Sequence, residues 1–282
     1  MAEKNHPAKR KDTVAVTIKF GSDSFEKRLK SMMSVDFRRM FTTRLFYIMA
    51  GICFIMPVLI LVMTTMMDGT VSVDPNTGVE TTIEAFSSVW QVIGSASGES
   101  AAMDMSMTGM CNINLVYFMA AVFVCIFVAD DFRSGYAKNL FTVRAQKNDY
   151  VISKTLIGFL GGVVMLLAFF VGAMLGGAVS GLAFDTGSVG VSGIVMCMIS
   201  KMLLISVFAA LYVLISVVGK QKLWLSLVGS LCAGMLLFSM IPMITPLDSG
   251  IMNVIMCLAG GILFSVGIGM GSNMVLRKTS LV

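Results

Sequence analysis

Charge is scarce in this 282-residue chain: only 13% of its residues are Asp, Glu, Lys or Arg, against about 25% in soluble domains. Histidine is nearly missing, with His6 the single example, which removes most hydrolytic chemistry that leans on an imidazole. No apolar run contains His, Asp or Glu, so neither a Ser–His pair nor paired aspartates can be assembled within a span. A G-x-x-x-x-G-K-[ST] loop is absent as well, and without that phosphate cradle the chain is expected to hydrolyse no ATP itself. Its six cysteines (Cys53, Cys111, Cys125, Cys197, Cys232, Cys257) stand singly in apolar surroundings with no metal-ligand spacing, and they read as small buried hydrophobes.

What remains is apolar. Hydrophobic residues make up 56% of the chain and mean hydropathy is +0.86, the composition of an all-α polytopic membrane protein. A crossing helix needs about 20 apolar residues. Six runs qualify: Leu45–Met67, Cys111–Ala129, Leu156–Val179, Val191–Val218, Leu223–Ile241 and Ile251–Leu276. The fourth would still cross if shortened to Met202–Val218. The first run is 23 residues long, starts only at Leu45 and lacks a cleavage-type end, so it reads as a span and not as a signal peptide.

Lys and Arg orient the spans. Residues 1–44 hold 11 of them and residues 130–155 hold five; Lys220, Lys222, Arg277 and Lys278 fall on the same side. The loop Asp68–Met110 has six acids and no base, and Asp185 and Asp248 join it on the opposite side. Both termini are therefore expected in the cytoplasm of a cell-membrane protein. The net charge of +5 follows from sidedness and is no nucleic-acid signal. Lys201 alone lies inside a run; a charge at mid-bilayer costs about 2.5–3.5 kcal/mol. The expectation is that residues 190–200 lie at the outer interface and Lys201 snorkels, with a lumen-facing or dimer-interface position as the alternatives.

The chain divides into a basic tail (1–24), an interfacial helix (25–44) and a six-span domain (45–282) with an outer loop (68–110) and an inner loop (130–155). In the tail, Val14, Val16, Ile18 and Phe20 alternate as in a half-buried strand, so a disordered tail and a strand added to a partner's sheet are both open. From Phe25 onward, Phe25, Leu29, Met32, Met33, Phe37, Met40 and Phe41 share one helical face. Phe25, Leu29, Met33, Phe37 and Met40 are taken as the membrane-facing stripe of an elbow helix in the inner interface. The outer loop is expected to carry one short helix over 83–93. Near its end, Met103, Met105, Met107 and Met110 offer soft thioethers of the kind that bind Cu(I), but with 26 methionines in the chain the cluster reads as structural and no metal is expected. Gly158/Gly162, Gly172/Gly176, Gly177/Gly181 and Gly267/Gly271 are spaced for close helix packing within the subunit.

The most polar passage after residue 44 is DDFRSGYAKNLFTVRAQKNDY, residues 130–150. On a helix from Ser134, Tyr136, Leu140 and Val143 share a face, flanked by Arg133, Lys138 and Arg144. Asn148 and Asp149 read as N-cap and first-turn acid of the next span. Asp131, Phe132, Arg133, Ser134 and Gly135, followed by Lys138, Asn139 and Leu140, resemble the ABC transporter type 2 permease family, in which a span ends in an acid, an aromatic, a basic-small-Gly turn and a basic-Asn-Leu pattern. The sequence resemblance is specific over about residues 130–155; over the whole chain it is one of architecture. It implies a short coupling helix at 134–144, with Arg133, Tyr136, Lys138, Asn139, Leu140, Val143 and Arg144 meeting a separate ATP-binding subunit. That subunit would carry ATP and Mg, this chain would bind no cofactor, and a second permease subunit, like or unlike, would complete the transporter alongside membrane lipid. The implied function is outward export of an amphiphile or peptide by alternating access. The family often has a helical hairpin between the last two spans, where this chain has only SMIPMITPLDSG. A stand-alone secondary carrier or channel is the competing reading, with Lys201 and Pro242 its only midplane candidates.

The charge asymmetry makes a direct prediction. On a cysteine-free background, Ser87→Cys should react with an impermeant maleimide on intact cells. Labelling only after lysis would overturn the orientation.

Overall fold

The computed structural model of the protein describes residues 24–73, 80–82, 86–95, 111–143, 147–187, 189–220, 222–238 and 240–278. The possible tail strand (13–20), the Met103, Met105 and Met107 run and Arg144 lie outside these residues. So does the side chain of Val143.

Helices dominate. α1 spans Phe25–Thr42 and α2 Arg44–Met66, with only Thr43 between them. A small antiparallel ribbon, Val71–Val73 with Glu80–Thr82, follows. Then come α3 (Leu115–Arg133), α4 (Tyr136–Val143), α5 (Lys147–Ser180), α6 (Gly190–Gly219), α7 (Leu223–Phe238), α8 (Met240–Ile244) and α9 (Ile251–Lys278). Five of these, α2, α3, α5, α6 and α9, are long and apolar enough to cross a membrane. The expected fifth crossing is shorter among the described residues: α7 has 16 residues, about 24 Å at 1.5 Å per residue, and the next described element is the five-residue α8. The outer-loop helix expected over 83–93 is a single 3-10 turn, Val89–Val92, among the described residues.

α3, α5 and α6 form the centre, and α2, α7 and α9 pack around them. Close approach depends on small residues. A Cβ at Gly172 would collide with the Phe54 carbonyl oxygen, and one at Gly176 would stand 2.9 Å from Val58 Cα, so this pair seats α5 directly on the α2 backbone around Pro57. Gly158 and Gly162 instead make room for side chains, those of Val124 and Ile205. α7 meets the centre through Ser226, Ser230 and Gly234, one small face at i, i+4, i+8. Gly267 and Gly271 differ from expectation: a Cβ on either would meet nothing within 4 Å, because α9 turns Cys257, Gly261, Ser272 and Leu276 inward instead. Four of the cysteines are buried as expected, but Cys232 is exposed and Cys111 half-buried.

The end opposite the basic residues is pinned by backbone bonds. Val89 N–H donates to Ala183 O, Ile113 N–H to Val92 O (2.8 Å) and Leu247 N–H to Ser95 O (2.8 Å). α8 and the short connection from it to α9 fold onto the bundle, burying Ile241, Thr245 and Leu247.

These contacts separate two glycine pairs. Gly172→Ala should cost about 1–3 kcal/mol through overpacking, while Gly267→Ala should stay within about 0.5 kcal/mol, as measured by unfolding in mixed micelles. Equal effects would contradict the α2–α5 seat.

Candidate functional site

Four charges are collected where α1, α3 and α5 meet, at the end of the bundle that carries the basic residues. Asp36 lies on the i, i+4 line Met32–Asp36–Met40, the face that α1 turns to the protein. Asp131 sits in the last turn of α3, and Lys154 is the eighth residue of α5. α5 is 34 residues long, about 51 Å, against a hydrocarbon thickness of about 30 Å. Its first turns therefore extend beyond the apolar run that begins at Leu156.

Lys154 Nζ bridges the two acids, 2.8 Å from Asp36 Oδ1 and 2.7 Å from Asp131 Oδ2. Asp36, Asp131 and Lys154 are all at most 1% exposed at the side chain. Arg39 closes the group, 2.6 Å from Asp131 Oδ1 and 3.7 Å from Asp36 Oδ1. Tyr150 Oη donates to Asp131 Oδ2 (3.0 Å), and Ser153 Oγ donates to Asp36 Oδ2 (2.7 Å). Every oxygen of the two carboxylates is thus engaged, and two negative charges meet two positive ones. Partial burial of Arg39 acts to lower its pKa, but the Asp131 carboxylate, aided by Asp36, holds the guanidinium above its ordinary value. Aromatic rings complete the shell: Lys154 lies 4.3 Å from the Phe127 centroid and Arg39 4.7 Å from that of Tyr136. One layer further out, Arg28 Nε donates to Asp149 Oδ2 at 3.1 Å, a second tie from α1 to α5.

α4 is built onto this group. Gly135, at φ +74°, turns the chain between α3 and α4, a left-handed conformation that glycine adopts without strain. Tyr136 then lies against Arg39, Ala137 is fully buried, and Phe141 packs edge-on to Tyr150 with centroids 5.3 Å apart. Leu140 is half-buried on the core. The apolar face of α4 therefore turns into its own chain, and Lys138, Asn139 and Thr142 are exposed together with Arg133 at the end of α3. α5 starts at Lys147, so Asn148 is inside the helix and is not its N-cap, while Asp149 is in the first turn as expected.

The elbow stripe splits in a similar way. Phe25 and Phe37 are exposed, Leu29 and Met33 half-buried, and Met40 buried against the bundle. Asp36, Arg39, Tyr150, Ser153 and Lys154 do not stand out as a group in the sequence. An acid centred between Met32 and Met40 was the available signal, since an acid on an apolar line needs a buried partner.

Lys201 corrects the snorkelling expectation. α6 is continuous over 30 residues, Gly190–Gly219, which places Lys201 about 16 Å from its start. The side chain is fully buried, with Nζ donating to Asn114 Oδ1 (2.9 Å) and Thr245 Oγ1 (3.0 Å). Tyr117 Oη donates to the Lys201 carbonyl (2.9 Å). Lys201 thus ties α6 to the start of α3 and to the α8–α9 connection. Among the described residues, no group of three or more His, Cys, Asp or Glu could hold a metal ion. No protein-family model, curated protein or solved structure matches the chain.

The paired geometry predicts that single changes are costly and coupled. Lys154→Met leaves two carboxylates short of a cation and should destabilise by about 3–5 kcal/mol. Adding Asp131→Asn should recover part of that loss in the same unfolding assay. Strictly additive losses would contradict a shared network.

Proposed function

We propose that this chain is the membrane permease subunit of an ABC exporter, energised by a separate ATP-binding subunit and completed by a second permease subunit. In this reading six helices cross the membrane, both termini are cytoplasmic, α1 is the elbow helix and α4 the coupling helix. The observation that carries it is the placement of α4. It is an eight-residue amphipathic helix whose inner face rests on Arg39, Tyr150 and the core. Directly beneath it, buried ion pairs fasten α1 to α3 and α5.

A helix held this way cannot swing independently of the spans it joins. Force applied to its exposed face passes into α3 and α5 and, through Asp36 and Arg39, into α1. The roles first expected of Tyr136 and Leu140 are accordingly reassigned: they fasten α4 to its own bundle. Docking falls to Lys138, Asn139 and Thr142, with Arg133 alongside, where charge steers and orients a partner. The chain supplies no phosphate cradle, so ATP and Mg belong to the partner. The moving cargo would be an amphiphile or peptide, passed outward between two permease subunits.

A stand-alone carrier is the second reading, and Lys201 favours it. A fully buried ionisable group within a candidate span is the kind of feature on which ion-coupled carriers rely. Co-purification with an ATPase separates the two readings.

The exporter reading predicts that Lys138→Glu/Thr142→Glu reduces ATPase retention at least about tenfold, a loss of about 1.4 kcal/mol, with α4 still folded. Retention and substrate-stimulated ATP hydrolysis equal to wild type would contradict it.

A further inference from the structure

α1 has two faces with opposite electrostatic character. On the inner face, Asp36 and Arg39 are matched by Asp131 and Lys154, and Arg28 by Asp149. These charges balance within the protein. On the outer face, Lys27, Lys30 and Arg38 are exposed, Arg44 follows at the start of α2, and Glu26 is the one exposed acid of α1. Among the described residues, no ion pair neutralises that surplus of positive charge.

Exposed aromatic rings on the same face lead toward α2 through the buried Phe46. Phe37 and Phe41 are 46% and 39% exposed and meet edge to face at 4.8 Å. Phe41 contacts Phe46 at 5.3 Å, and Phe46 contacts Tyr47 at 5.6 Å. Tyr47 and Ile48 are more than half exposed at the first turn of α2, where the surface turned to hydrocarbon begins. In the bilayer placement proposed above, the bases of α1 fall at headgroup level, beside aromatics suited to the polar–apolar boundary.

We propose that the outer face of α1 is a binding surface for anionic lipid headgroups, with Lys27, Lys30 and Arg38 contacting phosphates while Phe37 and Phe41 enter the acyl boundary. Charge complementarity selects an anionic leaflet over a zwitterionic one. Continuity of the aromatic run with α2 selects a bilayer over a soluble acidic protein, which could match the charge but not the rings. Because the opposite face of α1 is bolted to α3 and α5, lipid that holds α1 in place also holds that end of the bundle. The inference rests on the bilayer placement in the proposed function and is independent of any ATPase.

The test uses the full chain alone, in nanodiscs of phosphatidylcholine and of phosphatidylcholine with one part in three phosphatidylglycerol, and reads hydrogen exchange of the α1 amides. Each base near an anionic surface contributes about fivefold, so wild type should gain at least about tenfold protection in the anionic discs, an effect that salt screens. Lys27→Gln/Lys30→Gln/Arg38→Gln should show equal protection in both discs, and Lys27→Arg/Lys30→Arg should keep the gain. Wild-type protection independent of lipid charge would overturn the proposal, as would a full gain in the Gln variant or a gain that appears only when an acidic protein partner is added. Each of those outcomes leaves the ATPase-docking test of the exporter reading unaffected.

Discussion

The arrangement at the basic end of the bundle depends on the cost of dehydrating two carboxylates. A charge removed from water costs several kcal/mol unless an opposite charge and hydrogen bonds replace the solvent. Asp36 and Asp131 are both dehydrated, and the replacement must come from α1, α3 and α5 together, because Arg39 belongs to α1 while Lys154, Tyr150 and Ser153 belong to α5. No two of the helices can complete the set. Their relative positions are fixed by that requirement more tightly than by apolar packing, which is non-directional. α4 inherits this rigidity, since Tyr136 lies against Arg39 and Phe141 against Tyr150.

The two deeply buried lysines answer the same problem differently. Lys154 is neutralised by two carboxylates, whereas Lys201 donates to a neutral amide and a neutral hydroxyl. Thr245 Oγ1 donates its hydrogen bond to the Ile241 carbonyl at 2.8 Å, so the lone pairs of that oxygen accept from the lysine. One end of the bundle is thus closed by charge pairs between long helices. The other is closed, among the described residues, by polar contacts and backbone bonds among short connections, which are individually weaker than charge-assisted ties.

Much of the helical order was legible because long apolar runs leave the backbone little choice in lipid. The glycine pair at 172 and 176 was legible for the same reason, since only small residues permit that approach. Its counterpart at 267 and 271 was not, because spacing alone does not say which face of α9 turns inward. α4 was readable as an amphipathic helix, but its apolar side could as well have met a partner as its own chain. The charge group escaped notice because its members are up to 118 residues apart, and each looked ordinary locally. Lys154 passed for one more inner-side base, and Asp36 lies next to the apolar stripe with no partner near it in sequence except Arg39. Lys201 was misjudged because a short upright fourth crossing fitted the hydropathy as well as the continuous helix does.

The proposed exporter reading requires that α1, α3, α4 and α5 move as one body when the proposed ATP-binding partner changes state. Pulsed electron paramagnetic resonance between spin labels at Ser34 in α1 and Asn148 in α5, with a second pair at Asn148 and Lys222, measures this directly in the assembled complex. The account predicts that the Ser34–Asn148 distances coincide in nucleotide-free and ATP-trapped states while the Asn148–Lys222 distances shift. A nucleotide-dependent change between Ser34 and Asn148 would contradict it.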